Sequence, residues 1–134
     1  MSLKYRLIQR VDPRNPQAPR AFYAKAVTKD EVSFRELAEQ IAQISTVSTV
    51  DSIAVIEAFI QLVPKHLTNG EIVRLGEFGS FAIGIISSGA QNEDDFTADM
   101  IKGVKCYFRP GKELKKALDN TRFEKEKRLL ANDE

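Results

Sequence analysis

The apolar and polar positions in the middle of the chain follow the spacing of α-helices. A capping box at Ser33 and Glu36 precedes apolar residues at helical spacing, which predicts a helix over about residues 34–44. A second, more apolar pattern opens on a Ser-x-x-Asp cap and predicts a helix over about residues 48–68. Because proline lacks a backbone donor, Pro64 inside this pattern predicts a kink or an early end of the helix.

The second predicted helix is apolar on more than one face and ends at the stop signal Asn69-Gly70. Its apolar residues are Ile53, Val55, Ile56, Phe59, Ile60, Leu62, Val63 and Leu67. A helix of this composition is buried on several sides, and a chain of 134 residues can hardly surround it alone. We therefore expect it to lie in a dimer interface, formed with an identical chain or with a paralogue.

Near-alternation of apolar and polar residues predicts strands at both ends of the chain. Residues 3–11 and 21–28 predict an N-terminal β-hairpin, whose connection over residues 12–20 holds three prolines and is a stiff loop. After the helices, residues 71–86 predict glycine-marked strands, and a polar, acidic loop follows. Residues 100–109 then predict a returning strand.

A terminal helix is expected from Gly111 to about Leu130, followed by a frayed end. Lysines and arginines occupy much of this helix pattern, and leucines, Ala117 and Phe123 occupy its inward positions.

Charge is distributed unevenly, although the net charge is only +1. Residues 1–30 carry seven Lys or Arg against two Asp, and residues 102–128 carry ten basic against four acidic residues. Between them, residues 31–88 carry three basic against seven acidic residues, and residues 89–99 carry four acids and no base. Two basic blocks around an acidic middle indicate a charged partner, the alternative being an ordinary solvated surface.

Chemistry-bearing clusters are scarce in the sequence. One histidine, one cysteine and no phosphate-loop or nucleophile-elbow motif give no reason to expect an enzyme, a catalytic residue, a metal or a cofactor. Cys106 has no second cysteine to pair with, which fits a reducing compartment. No apolar run of membrane-spanning length and no signal segment is present, so we expect a cytoplasmic protein without a membrane partner.

Two segments of the chain carry a family resemblance. The chain runs from a helix into the glycine-marked segment Gly70–Phe81, then through a long excursion into the strand–Gly–Lys–helix segment Phe108–Leu118. This order of elements resembles the HU/IHF family of bacterial histone-like DNA-binding proteins. The resemblance covers about residues 33–122. It leaves residues 1–32 as an added hairpin and residues 123–134 as a helical extension and tail.

The resemblance implies an α+β fold in an intertwined dimer, with a helical body, a β-sheet saddle and two long β-arms that enter the DNA minor groove. The resemblance implies that an apolar wedge at the tip of each arm is inserted into the minor groove and kinks the duplex. It further implies a nucleoid-associated architectural protein that binds double-stranded DNA largely without sequence specificity and takes no small-molecule substrate. The residues that it places at phosphates are Arg74, Ser80, Lys102, Lys105, Arg109, Lys112, Lys115 and Lys116.

The excursion expected to form the arm departs from the family pattern. Residues 87–103 contain no proline and no arginine but four acids, among them Glu93, Asp94 and Asp95. Because acids are repelled by the minor groove, either this arm folds back on protein or DNA is bound through another surface. The alternative function is an HU-like scaffold that serves as a protein-interaction module with weak or no DNA bending.

The N-terminal loop contains Arg14-Asn15-Pro16, the tip composition of the family's arm. One reading is a rigid loop between two strands. The other is the hypothesis that Arg14 and Arg20 take over some of the DNA contact.

Overall fold

The computed structural model describes residues 1–127, which belong to two compact units. The central unit is Val32–Ala117, and the terminal unit joins Met1–Glu31 to the chain from Leu118 onward. Helices and strands are mixed, as an α+β fold requires. In chain order the elements are β1 (Leu3–Arg10), β2 (Ala21–Ala26), α1 (Phe34–Ile44), α2 (Thr49–Thr68), β3 (Val73–Arg74), β4 (Gly79–Ser87), β5 (Ile101–Pro110), α3 (Lys112–Asp119) and β6 (Phe123–Lys125).

The two helices of the central unit begin where their caps predict. The Oγ of Ser33 accepts a hydrogen bond from the Glu36 backbone N–H at 3.2 Å, and the Oγ of Ser48 accepts one from Asp51 at 3.1 Å. Each bond satisfies a donor that the first turn of a helix leaves free. The bounds of α1 and α2 therefore confirm the sequence prediction.

The early end predicted at Pro64 is wrong, because α2 runs through it to Thr68. Its end is set by Gly70, which has a left-handed φ of +83°. There the Glu71 N–H donates to the His66 carbonyl at 3.1 Å, the long bond of a Schellman motif. One missing donor within a long helix is thus outweighed by the rest of its hydrogen bonds and by packing.

The central unit has an antiparallel sheet in the order β3-β4-β5. A tight turn joins β3 to β4, where Gly76 adopts a φ of +53° and Phe78 N–H donates to the Leu75 carbonyl at 3.1 Å. Strand β5 then pairs with β4 along the length of β4, from Gly79 opposite Pro110 to Ser87 opposite Ile101. The strands predicted on either side of the acidic loop are confirmed.

The terminal unit has a second sheet in the order β2-β1-β6. Strands β1 and β2 form the predicted antiparallel hairpin, and β6 adds to β1 in parallel. Helix α3 ends at Asp119, so the helix predicted to continue to about Leu130 is wrong over residues 120–127. The long-range pairing with β1 prevails over helical spacing here: the Glu126 N–H donates to the Tyr5 carbonyl at 2.8 Å. The remainder of that predicted helix, residues 128–130, lies outside the described residues.

Few apolar side chains are buried. Within residues 1–127 only Ala38 and Leu67 are buried apolar residues. On α2, by contrast, Val55 is 66% and Leu62 51% exposed. Within the same residues, no helix combines the length and the apolar composition that crossing a bilayer requires.

Candidate nucleic-acid interface

The strand register of the central sheet separates two faces of opposite character. Residues paired across neighbouring strands point to the same side, and successive residues alternate. Ser80 is paired with Arg74 on one side and with Arg109 on the other, so these three residues form one row across the sheet. Lys105, opposite Gly84, lies on the same face two pairs of residues further along. We call Arg74, Ser80, Lys105 and Arg109 the central basic face.

The opposite face of the central sheet is apolar. Phe81 is paired with Val73 and Phe108, and the rings of Phe81 and Phe108 lie 4.9 Å apart at their centroids. Phe78, in the turn, also lies near Phe108, with ring centroids 5.7 Å apart and the ring planes tilted by 41°. Helix α2 lies against β3 and β4. This packing fixes the strands and so presents the central basic face, where the two arginines and Lys105 are exposed.

Tyr107 is an exposed residue on the same side of the sheet as the central basic face, and the sequence reasoning missed it. It is paired with Ala82, two residues from Lys105 and from Arg109 along β5. A Cβ on Gly84 would lie 2.7 Å from the Tyr107 ring, so the ring lies across this glycine. Strict alternation along β5 places Tyr107 with Lys105 and Arg109, and this was the signal that could have found it.

Lys102 has a different position from the other predicted β5 residues. The register passes from Ile86 opposite Gly103 to Ser87 opposite Ile101, so Lys102 is the extra residue of a bulge. It is exposed, but the register does not assign it to the central basic face.

The lysines of α3 are held next to the β3–β4 turn. The Gly111 N–H donates to the Phe78 carbonyl at 2.8 Å, and the Glu113 N–H donates to the Glu77 carbonyl at 3.1 Å. A Cβ on Gly111 would collide with the Glu77 backbone, so only glycine permits this approach. Three exposed lysines with i, i+3 and i+4 spacing share one face of the helix: Lys112, Lys115 and Lys116.

The acidic excursion between β4 and β5 contains two single-turn 3₁₀ helices, Glu93–Asp95 and Ala98–Met100, and no paired strand. The Ser88 N–H donates to the Met100 carbonyl at 2.8 Å and closes its base. Asn92 donates a side-chain hydrogen bond to Asp95 at 3.1 Å. The three consecutive acids are exposed, and the excursion is a folded loop over the residues where an arm was expected.

Arg14 and Arg20 lie in the loop between β1 and β2 of the terminal unit, and both are exposed. The carboxylate of Asp12 accepts a hydrogen bond from the Arg14 backbone N–H at 2.9 Å, and the Ala18 N–H donates to the Asn15 carbonyl at 3.0 Å. These turns order the loop, which agrees with the reading of a stiff connection.

Other chemistry in the described residues is limited. Residues 1–127 contain no group of three or more His, Cys, Asp or Glu side chains placed to hold a metal. Cys106 is paired with Ile83 on the apolar face of the central sheet. At the end of α2 the Asn69 amide and the His66 ring hydrogen-bond the Glu71 carboxylate, and they hold the pKa of Glu71 below its ordinary value.

Comparison with known proteins gives a family and a shared fold. The model of the HU-HIG family, an HU domain fused to a wHTH, Ig or glycine-rich motif, matches residues 1–125. No curated protein matches the chain. The matching solved structures include the crystal structure of a candidate bacterial DNA-binding protein from Bacteroides vulgatus, which is 18% identical with a TM-score of 0.66. The match covers 92% of this chain and 47% of that one, so this chain spans about half of that protein's length.

The family match extends over the terminal hairpin, the helices and both sheets, and the resemblance drawn from the glycine-marked strand and the Gly111 hinge is confirmed at the level of an HU-like domain. The chain belongs to the HU-HIG family.

Proposed function

We propose that this chain binds double-stranded DNA as a dimer and acts as a largely sequence-nonspecific architectural protein. The observation that carries the proposal is the register that aligns Arg74, Ser80 and Arg109 in one row on the exposed side of the central sheet. Arginine forks and a serine hydroxyl are suitable phosphate ligands, and such contacts position a protein on DNA without reading its sequence.

Lys105 extends the row along the sheet, and the α3 lysines Lys112, Lys115 and Lys116 add a second group of cations. Lys102, in the bulge, is a further candidate contact. Each phosphate that a cation neutralises contributes about −0.9 to the slope of log K against log salt concentration. A protein that uses several of these residues therefore binds with a steep salt dependence and reads the shape of DNA more than its bases.

Dimerisation is supported by the exposed apolar surface of α2. Val50 and Val55 are largely exposed in the single chain, together with half-exposed Phe59, Ile60 and Leu62. Large apolar side chains exposed to this extent along one helix are unfavourable in water and are typical of an interface. A second HU-like chain, identical or paralogous, would cover them and form the intertwined helical body that the family resemblance implies. A cytoplasmic, nucleoid-associated location follows from DNA as the partner.

The contact mode proposed here does not use the excursion as a minor-groove wedge. Glu93, Asp94 and Asp95 would be repelled by phosphates, and Phe96, the large apolar residue beside them, directly follows these three charges. The loop containing Arg14 and Arg20 remains a candidate supplementary contact. An Arg14→Ala/Arg20→Ala variant with unchanged affinity and salt slope would remove that loop from the proposal.

The direct test is a mobility-shift titration across a salt series with linear and pre-bent duplexes. We expect Arg74→Gln/Arg109→Gln to weaken binding and to reduce the slope by about 1.8. The charge-matched control is Arg35→Gln/Lys65→Gln, which removes two exposed charges from the helices and leaves the slope unchanged. If the unmodified dimer does not bind duplex DNA at low salt, the proposal is wrong.

A protein-interaction module is the second candidate, favoured by the acidic loop and the near-neutral net charge. In that case the acids of the excursion would contact a basic protein partner. Retention of such a partner by the unmodified protein, its loss on neutralising the loop, and no retention of DNA would favour this function over the first.

A further inference from the structure

The strand register of the terminal sheet gives it, too, a basic face. Strand β1 alternates so that Lys4, Arg6, Ile8 and Arg10 point to one side. Across the hairpin, Lys25 is paired with Arg6, and Tyr23 is paired with Ile8. We call Lys4, Arg6, Arg10 and Lys25 the terminal basic face. All four side chains are exposed.

The other side of the same sheet is apolar. Leu3, Tyr5 and Leu7 alternate with the basic residues along β1. Phe22, Ala24 and Ala26 of β2 and Phe123 of β6 are paired with residues on this side. The charges of β1 and β2 are therefore segregated on one side of the hairpin, although the sequence pattern shows only mixed basic and apolar residues.

The cross-strand pair of Arg6 and Lys25 destabilises the terminal sheet when no ligand is bound to it. Two like charges directly opposite each other on neighbouring strands repel and destabilise the pairing. Two acids approach this face from the β6 side. Glu124 is opposite Lys4, and Glu126, one residue after β6, lies beside β1 next to Arg6, where its N–H donates to the Tyr5 carbonyl. Among residues 1–127 the one ion pair between an acid and a Lys or Arg side chain joins Arg35 and Glu39, so no ion pair relieves the terminal basic face.

A bound anionic ligand would offset this repulsion, because the anion attracts both cations and gives each of them a counter-charge. From Lys4 to Arg10 the face extends about 20 Å, at roughly 3.4 Å per residue, a length over which one strand of B-DNA presents about six phosphates. Tyr23, 47% exposed between the charges, adds a hydroxyl donor. A single aromatic ring does not provide the successive stacking sites that single-stranded nucleic acid uses.

We propose that the terminal basic face is a second phosphate-binding surface for duplex DNA, separate from the central basic face. The inference rests on the proposed function, in that it takes DNA as the partner. It assigns to the N-terminal sheet a role in binding through the residues of its strands, and not only through the loop that carries Arg14 and Arg20.

The experiment compares single substitutions within this one sheet, using anisotropy of a labelled duplex across a salt series. Arg6→Gln and Lys25→Gln should each reduce the salt slope by about 0.9, and the double variant by about 1.8. The matched control is Lys125→Gln, because Lys125 is opposite Tyr5 on the apolar side of the same sheet. It should leave the slope unchanged. Arg6→Lys keeps the charge and should keep the slope.

Thermal unfolding separates binding from a merely structural role. Because Arg6 and Lys25 repel each other, each glutamine variant should melt at the same temperature as the unmodified protein or slightly higher at low salt. Loss of DNA affinity without loss of stability supports the proposal, whereas an equal loss in Arg6→Lys and Arg6→Gln contradicts it.

The outcomes also distinguish this inference from the proposed function. If Arg6→Gln/Lys25→Gln binds like the unmodified protein while Arg109→Gln is weakened, the terminal basic face is excluded and the central one stands. If the unmodified protein does not bind duplex DNA, both fail. Preferential competition by a single-stranded oligonucleotide of equal charge would overturn the assignment to duplex DNA.

Discussion

The two sheets of this protein have the same number of strands and the same division into two faces, but they are stabilised differently. Each has three strands, one apolar face and one face with basic residues. The central sheet is a local antiparallel meander, with α2 against β3 and β4. The terminal sheet depends on β6, which pairs with β1 from the far end of the chain. Strands with the same alternation of apolar and polar residues can therefore be stabilised in two ways. One is packing against a neighbouring helix, and the other is pairing with a strand from a distant part of the chain.

The difference extends to the apolar faces. Within its own unit the central sheet has a helical layer, and that layer is itself apolar on its exposed side. The described part of the terminal unit has no helix except the last two residues of α3. Phe22 and Phe123 are accordingly 64% and 69% exposed there. The dimerisation that we propose through α2 would thus involve the central unit, and the terminal sheet is expected to contribute little to it.

The largest expected effect is that of a charge placed on the exposed side of α2. In an isolated chain, Val55→Asp is a surface substitution and would change the free energy of unfolding by about 0.5 kcal/mol or less. In a dimer interface it buries an unpaired carboxylate, which costs about 3–5 kcal/mol. We therefore expect a monomeric or unfolded protein by light scattering and circular dichroism.

Phe22→Asp is the control for that experiment, because it places the same charge on the apolar face of the terminal sheet. We expect it to remain a dimer. A dimer that survives Val55→Asp but dissociates with Phe22→Asp would reverse the comparison and make the terminal sheet the interface.

The turn that holds the central sheet gives the second largest effect. Gly79 has a φ of +153°, and a Cβ there would lie 2.6 Å from the Arg109 carbonyl oxygen. Gly79→Ala should therefore lower the free energy of unfolding by about 1–3 kcal/mol. Gly103→Ala is the matched control, since its Cβ would meet nothing within 4 Å. Urea denaturation at one fixed protein concentration measures both, and equal midpoints would contradict the packing argument.

Sequence reasoning reached those parts of the fold that are encoded locally. The caps at Ser33 and Ser48 and the stop at Gly70 gave helix bounds that agree with the structure. Alternation around the glycines indicated the strands of the central sheet. Helical spacing beyond Asp119 was misleading, because the partner of β6 lies more than a hundred residues away at the start of the chain.

The sequence predicted the residues of the candidate site but not their arrangement on the sheet. The residues of the central row were named from the family pattern, but their alignment depends on the register, which one shifted residue would change. Lys102 shows this limit, because a bulge that the sequence does not announce removes it from the alternation. The segregation of charge on the terminal sheet depends equally on pairing, since Lys25 meets Arg6 only through the hairpin register.

The acidic excursion provides a third, smaller test of the central basic face. A variant with Glu93→Gln, Asp94→Asn and Asp95→Asn removes three charges that repel phosphates without changing side-chain size. At low salt we expect duplex affinity to rise by roughly fivefold, with a gain that shrinks as salt is added. A fall in affinity would show instead that the acids support the fold of the loop or a contact with DNA.

The smallest effect concerns the carboxylate of Glu71, which the Asn69 amide and the His66 ring hold at a pKa below its ordinary value. A depressed pKa in the folded state stabilises the protein above the ordinary pKa, and this contribution is lost as pH falls through the folded value. Glu71→Gln should lower the melting temperature slightly at neutral pH, and the difference should vanish in acid. Glu57→Gln, at an exposed position of α2, is the control and should show no such convergence. Since Glu71 follows α2 directly and precedes β3, a loss that persists unchanged in acid would mean that the side chain supports this connection by its shape and not by its charge.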